Sequence, residues 1–298
     1  MKIEKVLDLE NILLKEHLKT LLKDKTTKRN IVFATNSYEH FGFLSNNEIT
    51  VDSISLINLQ PRVIKSIESQ KTRTKKRAEV FTPAWVCCRI NNQIDNDWFG
   101  KENVFNILDG EKWQSQRGKI HFPENKNWMK YVNMRKLEIT CGECPFVVSR
   151  YDTSSGEIIP IKKRIGFLDR KLRVINENVI TEEEWIKWAI KAYKSCYGYE
   201  FQGDNLLVGR INLFLTFIEY FMAKWDKTPS KKDLQTISNI IIWNFFQMDG
   251  LNFTVPFSAT EEQISLLDTE NTKTPKKAMM YDWRQKKQIY FEELGKEN

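Results

Sequence analysis

The chain has 298 residues, room for one large domain or two modest ones. Its 41% hydrophobic content, with nine Trp and eighteen Phe, supports a real core and excludes a disordered chain. The formal charge of +7 and a pI near 9.0 permit a polyanionic partner, whereas the lack of any eighteen-residue apolar run argues against a membrane span.

The opening residues 1–5 lack the apolar stretch of an export signal, so a cytoplasmic protein is expected. Leu7, Leu9, Leu13, Leu14, Leu18, Leu21 and Leu22 recur at roughly helical spacing and predict an N-terminal helix within residues 5–24. Residues 25–70 mix β-branched runs such as Ile31-Val32-Phe33 with turn residues and stay ambiguous. Lys71, Arg73, Lys75, Lys76 and Arg77 place five cations in seven residues. They suit phosphate contact, or equally a solvated linker. Pro83 then stands near the first turn of a helix beginning at Trp85.

Residues 99–136 show no reliable period. Leu137-Glu138-Ile139-Thr140 reads as a short buried strand running into the Cys141-Gly142 turn. A hairpin is expected around residues 152–156. Cys141 and Cys144 form a single CxxC. A zinc site would need a second pair, and the chain has only three His, so no metal is expected. With no export signal, the five cysteines are expected to be free thiols.

Thr181-Glu182-Glu183-Glu184 is a capping box opening a helix with Trp185, Trp188, Ala189, Ala192 and Tyr193 on one face. A strand follows at residues 197–200, ending in Glu200, and an amphipathic helix continues to about Tyr220. Pro229-Ser230 caps a further helix with Leu234, Ile237, Ile240 and Ile241 on its apolar face. The run from Trp243 ends in Asp249-Gly250. After a loop at 258–278, residues 281–291 predict a final hairpin. Strands alternating with helices from about residue 135 to 251 predict an α/β fold with a mainly parallel sheet. The expected divisions are an N-terminal helical or mixed extension at 1–77, a cofactor-binding domain at 78–257, and a loop with a hairpin at 258–298.

Three strand tips then carry candidate chemistry: the 138–146 turn, Glu200 and Asp249. At the carboxyl edge of a doubly wound sheet, such tips can converge on a ligand. An acid at a strand tip suits a pair of ribose hydroxyls, although an exposed Glu at a strand end is the commoner meaning.

In this order the chain resembles S-adenosylmethionine-dependent DNA adenine methyltransferases, especially the "M" subunits of bacterial restriction-modification systems. Glu79-Val80-Phe81-Thr82-Pro83 is similar to the family's Phe-Thr-Pro motif. Residues 138–146 are similar to its Asp-Pro-Ala-Cys-Gly-Ser-Gly loop, and residues 198–213 to its strand-acid-helix motif ending in Arg-x-Asn-Leu. Residues 244–251 are similar to the next strand, which ends in an Asp beside the adenine. The resemblance covers roughly residues 78–251. It implies a doubly wound, Rossmann-like class I methyltransferase fold and S-adenosyl-L-methionine as cofactor. The implied cofactor contacts are Phe81, Thr82, Pro83, Glu138, Cys141 and Gly142, with Glu200 on the ribose and Asp249 on the adenine. Double-stranded DNA is the implied substrate, and a restriction nuclease or other subunit the implied protein partner.

Two departures stand out. Cys144 occupies the place of the family's second glycine, where a Cβ would narrow the approach of a ligand. The Asn-Pro-Pro-Tyr/Phe tetrad, which holds a flipped base, is missing. Its nearest counterparts are Asn252, Thr254, Pro256 and Phe257. The sequence therefore admits an active methyltransferase, a methyltransferase-fold subunit that binds cofactor, DNA or a partner without methylating alone, and a protein keeping only the fold.

Overall fold

The computed structural model describes residues 6–65, 82–259 and 274–294. The boundary expected at residue 77, Phe81, and the cations Lys71, Arg73, Lys75, Lys76 and Arg77 lie outside the described residues.

Helix α1 (Ile12–Leu21) starts where the Asn11 side chain accepts from the Leu14 amide, and it buries Leu14, Leu18 and Leu21 along one stripe. Helix α2 (Val51–Ile57) is opened by a reciprocal Thr50–Ser53 capping box. Helix α3 (Ala84–Phe99) begins directly after Pro83 and stops at Gly100, whose φ of 66° only glycine adopts cheaply. An antiparallel hairpin, β1 (Asn106–Asp109) and β2 (Lys112–Ser115), and a short helix α4 (Trp128–Val132) fill the stretch that showed no period.

The centre is a three-stranded parallel sheet of β3 (Lys136–Glu138), β4 (Cys196–Glu200) and β5 (Phe245–Gln247), side by side in chain order. Between β3 and β4 run α5 (Phe167–Asn178) and α6 (Glu182–Lys194). Between β4 and β5 run α7 (Gly203–Trp225) and α8 (Lys231–Asn244). Thr181 and Ser230 cap α6 and α8 through their side chains, as the sequence suggested. The parallel α/β sheet expected from the alternation is present.

Period-two alternation sorts the two faces of β4. Cys196 and Phe245 belong to the large core that also contains the apolar faces of α1, α5, α6, α7 and α8. Tyr197, Tyr199, Phe246 and Met248 point the other way, onto Val255 and Met280. That second face is covered by the expected C-terminal hairpin, β6 (Met279–Asp282) and β7 (Lys287–Tyr290), rather than by helices. Among the described residues strand β3 pairs with β4 alone, and Leu137 and Ile139 are 42% and 63% exposed, against the buried strand expected there.

Helix α7 is long and apolar enough to cross a membrane by length and composition, yet 89% of its apolar window is buried inside the protein. It is the central core helix. Arg210 on α7 is fully buried and ties three segments together. Its Nε donates to the Phe245 carbonyl at 2.8 Å, and its Nη1 to those of Leu21 and Lys23 at 2.6 and 3.0 Å. Gln247 docks the N-terminal segment beside β5: its amide accepts from the Val32 N–H and donates to the Val32 and Phe201 carbonyls. Residues 6–65 thereby share one core with the sheet and its helices.

Candidate functional site

Parallel pairing in register sets Glu138 opposite Gly198 and Glu200 opposite Gln247, so the carboxyl ends of the strands face one edge. The chain leaves β3 in a tight loop anchored to β4, where the Cys141 amide donates to the Tyr199 carbonyl at 2.8 Å. Thr140, Gly142 and Cys144 all take positive φ, of 46°, 51° and 64°. Two of these are not glycine, and such backbone persists only where its surroundings impose it.

Those surroundings are visible. A Cβ on Gly209 of α7 would lie 2.7 Å from Cys144 Sγ and 3.1 Å from the Gly142 carbonyl oxygen. One on Gly198 would meet Cys141 Sγ at 3.1 Å and the Phe245 ring at 2.9 Å. The loop is therefore pressed against two glycines. Asn212 Nδ2 donates to the Glu143 carbonyl at 3.2 Å, and Asn91 Nδ2 donates to the carbonyls of Phe146 and Ile165. The Arg-x-Asn pair at 210 and 212 thus acts as scaffold, one residue fixing β5 and the other the loop.

Cys144 is fully buried and its side chain turns to α7, outside the cavity lining. The expected narrowing of the ligand's approach does not occur, because Gly209 yields the space instead. The thiols of Cys141 and Cys144 are free, and burial pushes both up.

The loop and strand tips border a cavity of about 900 Å³. Thr82, Glu138, Cys141, Gly142 and Glu200 all line it, five of the residues the sequence assigned to a cofactor. The Glu200 carboxylate accepts from the Gly142 amide at 2.9 Å and from the Gln202 amide at 3.0 Å, clamping the loop to the β4 tip. Glu138 is only 8% exposed, and its Oε2 has no hydrogen-bond partner among the described residues. Burial pushes its carboxyl well above the usual carboxylate range, and the nearby Glu200 adds to that. Thr82 is held by Thr153 Oγ1, which donates to its carbonyl at 3.0 Å, while Asp152 accepts from the Ala84 amide at 2.9 Å. The turn expected at 152–156 therefore supports the start of α3. An apolar wall comes from Ile90, Ile94, Phe146 and Phe167.

Asn91, Gln202 and Asn205 also line the cavity and were not singled out by the sequence. Asn91 sits one residue from Ile90 and three from Ile94, so the helical face after Pro83 held the available signal.

The remaining candidates lie elsewhere. Pro83 begins α3 without lining the cavity. Asp249 closes its own turn, accepting from the Leu251 and Asn252 amides and from Asn252 Nδ2 at 2.8 Å. Thr254 pairs through its backbone with Asp249 and Lys277. Pro256 is buried and Phe257 is 50% exposed. None of Asp249, Asn252, Thr254, Pro256 and Phe257 borders the cavity, because their loop packs on the opposite, tyrosine-bearing face of the sheet.

The cavity can hold an amphipathic molecule of moderate size. The two acids would meet its polar groups and the aliphatic and aromatic wall its apolar part, while the Cys141 and Gly142 amides are engaged by the Tyr199 carbonyl and Glu200. Among the described residues no cluster of His, Cys, Asp and Glu is arranged to hold a metal ion. In comparisons with known proteins, no family model, no curated protein and no solved structure matches this chain.

Proposed function

We propose that this chain is an S-adenosylmethionine-dependent DNA adenine-N6 methyltransferase of a restriction-modification or phage-defence system, on a sheet of the class I methyltransferase type. One observation carries the reading. Thr82, Glu138, Cys141, Gly142 and Glu200 come from three distant stretches of sequence and meet around a single cavity.

The residues present fit the cofactor. Glu138 offers an unpartnered, buried carboxylate oxygen, and the ammonium of a methionine moiety is a group that would satisfy it. Glu200 would accept from ribose hydroxyls while keeping the Gly142 loop in position. The wall of Ile90, Ile94, Phe146 and Phe167 suits a purine ring. When bound, the cofactor supplies an electrophilic methyl group. The chain's own contribution is positioning, through the loop that Glu200 clamps and the buried acids beside it.

A second reading is favoured by the loop that follows β5. The Asn252 amide is engaged by Asp249, and no residue of 252–257 borders the cavity. This supports a subunit that binds cofactor and needs a partner to complete the base-holding site. Incubation with labelled S-adenosylmethionine and unmodified double-stranded DNA divides the two. Label incorporated by the chain alone, and lost in Glu200→Gln, is the outcome of the first reading. Cofactor retained without transfer is the outcome of the second, and a chain that retains none contradicts both.

A further inference from the structure

A second chemical surface lies apart from the cavity, where the end of α8, the β6–β7 hairpin, the end of α6 and the turn after α1 meet. Trp243, Tyr281 and Trp283 form a run of rings, with centroids 5.5 Å apart for the first pair and 4.4 Å for the second. All three are partly exposed, and Trp283 is fixed by its Nε1 donating to Asn244 Oδ1 at 2.7 Å. A cation sits over each end: Lys25 Nζ lies 5.3 Å from the Trp243 ring and Lys194 Nζ 4.6 Å from the Trp283 ring. Lys28 and Lys286 lie close enough to repel them.

The nearby acids do not neutralise this surface. Asp24 is buried and accepts from Thr27, and Asp282 is taken by Arg135 and by the amides of Arg284 and Gln285. Among the described residues, Lys25, Lys28, Lys194 and Lys286 make no ion pair. Four cations gathered around three aromatic rings call for a ligand with regularly spaced negative charge and exposed flat faces.

We propose that this surface binds single-stranded nucleic acid, with phosphates on Lys25 and Lys194 and unstacked bases against the ring surface that the lysines leave open. Duplex DNA would satisfy the cations but hides its base faces, leaving the rings without a role. Lysines already held over rings lose less side-chain freedom on meeting a phosphate. The surface shares no residue with the cavity lining, so it stands whether or not the chain transfers methyl groups.

The test is fluorescence anisotropy of labelled oligo(dT) with the full chain over a salt series, beside a duplex of equal length. Loss of two phosphate contacts in Lys25→Gln/Lys194→Gln should flatten the slope of log affinity against log salt by about 1.4. Tyr281→Leu should weaken single-strand binding by about tenfold, the contribution of one stacked base, and leave duplex binding unchanged. The lysine variant changes only side chains that are at least partly exposed, so it carries the test if Tyr281→Leu does not fold. Unchanged single-strand binding in the lysine variant, or equal losses for single strand and duplex in Tyr281→Leu, overturns the proposal.

Discussion

At the scale of single residues, Glu138 and Cys144 show what a site demands of its neighbours. Glu138 holds its proton more tightly in the folded chain than in the unfolded one, through burial and the proximity of Glu200. As pH rises from the ordinary value of 4.5 towards the raised folded value, the unfolded chain releases a proton that the folded chain keeps. Stability contributed by this group is therefore present below pH 4.5 and lost as pH rises through that window. Glu138→Gln should remove this fall, so the two proteins' unfolding free energies, measured in urea at stepped pH, should diverge as pH increases. Parallel curves would show that Glu138 does not titrate differently on folding. Glu200 was legible because it ends a strand before a turn, and Glu138 through the resemblance of residues 138–146 to a cofactor loop. Asp249 has the same local signature as Glu200, yet it serves an Asx turn with Asn252, and nothing in a linear pattern separates the two uses. The φ of Cys144 was hidden for a related reason: its compensation is Gly209, distant in sequence.

At the scale of elements, the contact between α7 and the 141–144 loop decides the shape of the cavity edge. Ala at position 209 would gain up to about 1 kcal/mol of helix propensity. It would also drive a methyl into Cys144 Sγ, and overpacking of this kind costs about 1–3 kcal/mol. Gly209→Ala is thus expected to lower stability on balance, and Cys144→Gly in the same chain to recover part of the loss. A denaturant-unfolding double-mutant cycle measures that coupling, and strictly additive effects would argue against the contact. Helices α6 and α8 were legible because side-chain caps and apolar stripes coincide in their sequences, whereas α7, whose Gln202 makes no side-chain cap, was legible from its apolar run after Glu200. The β1–β2 hairpin was not. Its buried residue is Asn106, whose Oδ1 accepts from Arg170, so no apolar alternation advertises it. Strand β3 was read as buried from its aliphatic residues, but an edge strand can expose Leu137 and Ile139 to a cavity.

For the whole molecule, buried ionic groups join parts far apart in the chain. Glu219 on α7 accepts from Arg150 at 2.7 Å and from Arg164 at 2.5 Å, all three being buried. Burial pushes the Glu219 carboxyl up, but the two guanidinium groups outweigh it and hold the carboxyl below its usual range. Its contribution is then present above pH 4.5 and lost as pH falls through the lowered folded value. Glu219→Gln leaves two buried cations without their counter-charge and should cost about 3–5 kcal/mol in denaturant unfolding at neutral pH. The difference from the native chain should shrink in acid. Arg210 acts similarly on carbonyls: burial lowers it to about 10, and its bond to Leu21 spans 189 residues. Such a link explains why the parallel sheet could be read from sequence while the docking of the N-terminal segment could not. Local pattern reports which face of an element is apolar, not which distant carbonyl awaits a guanidinium. The convergence of Glu138, Cys141, Gly142 and Glu200 on one cavity is testable without any DNA. Calorimetric titration of the full chain with S-adenosylmethionine should give saturable binding, weakened by about tenfold or more in Glu200→Ala, the loss expected for a charged acceptor. A folded native chain that binds no cofactor, or a Glu200→Ala variant that binds as tightly as the native chain, would contradict the assignment.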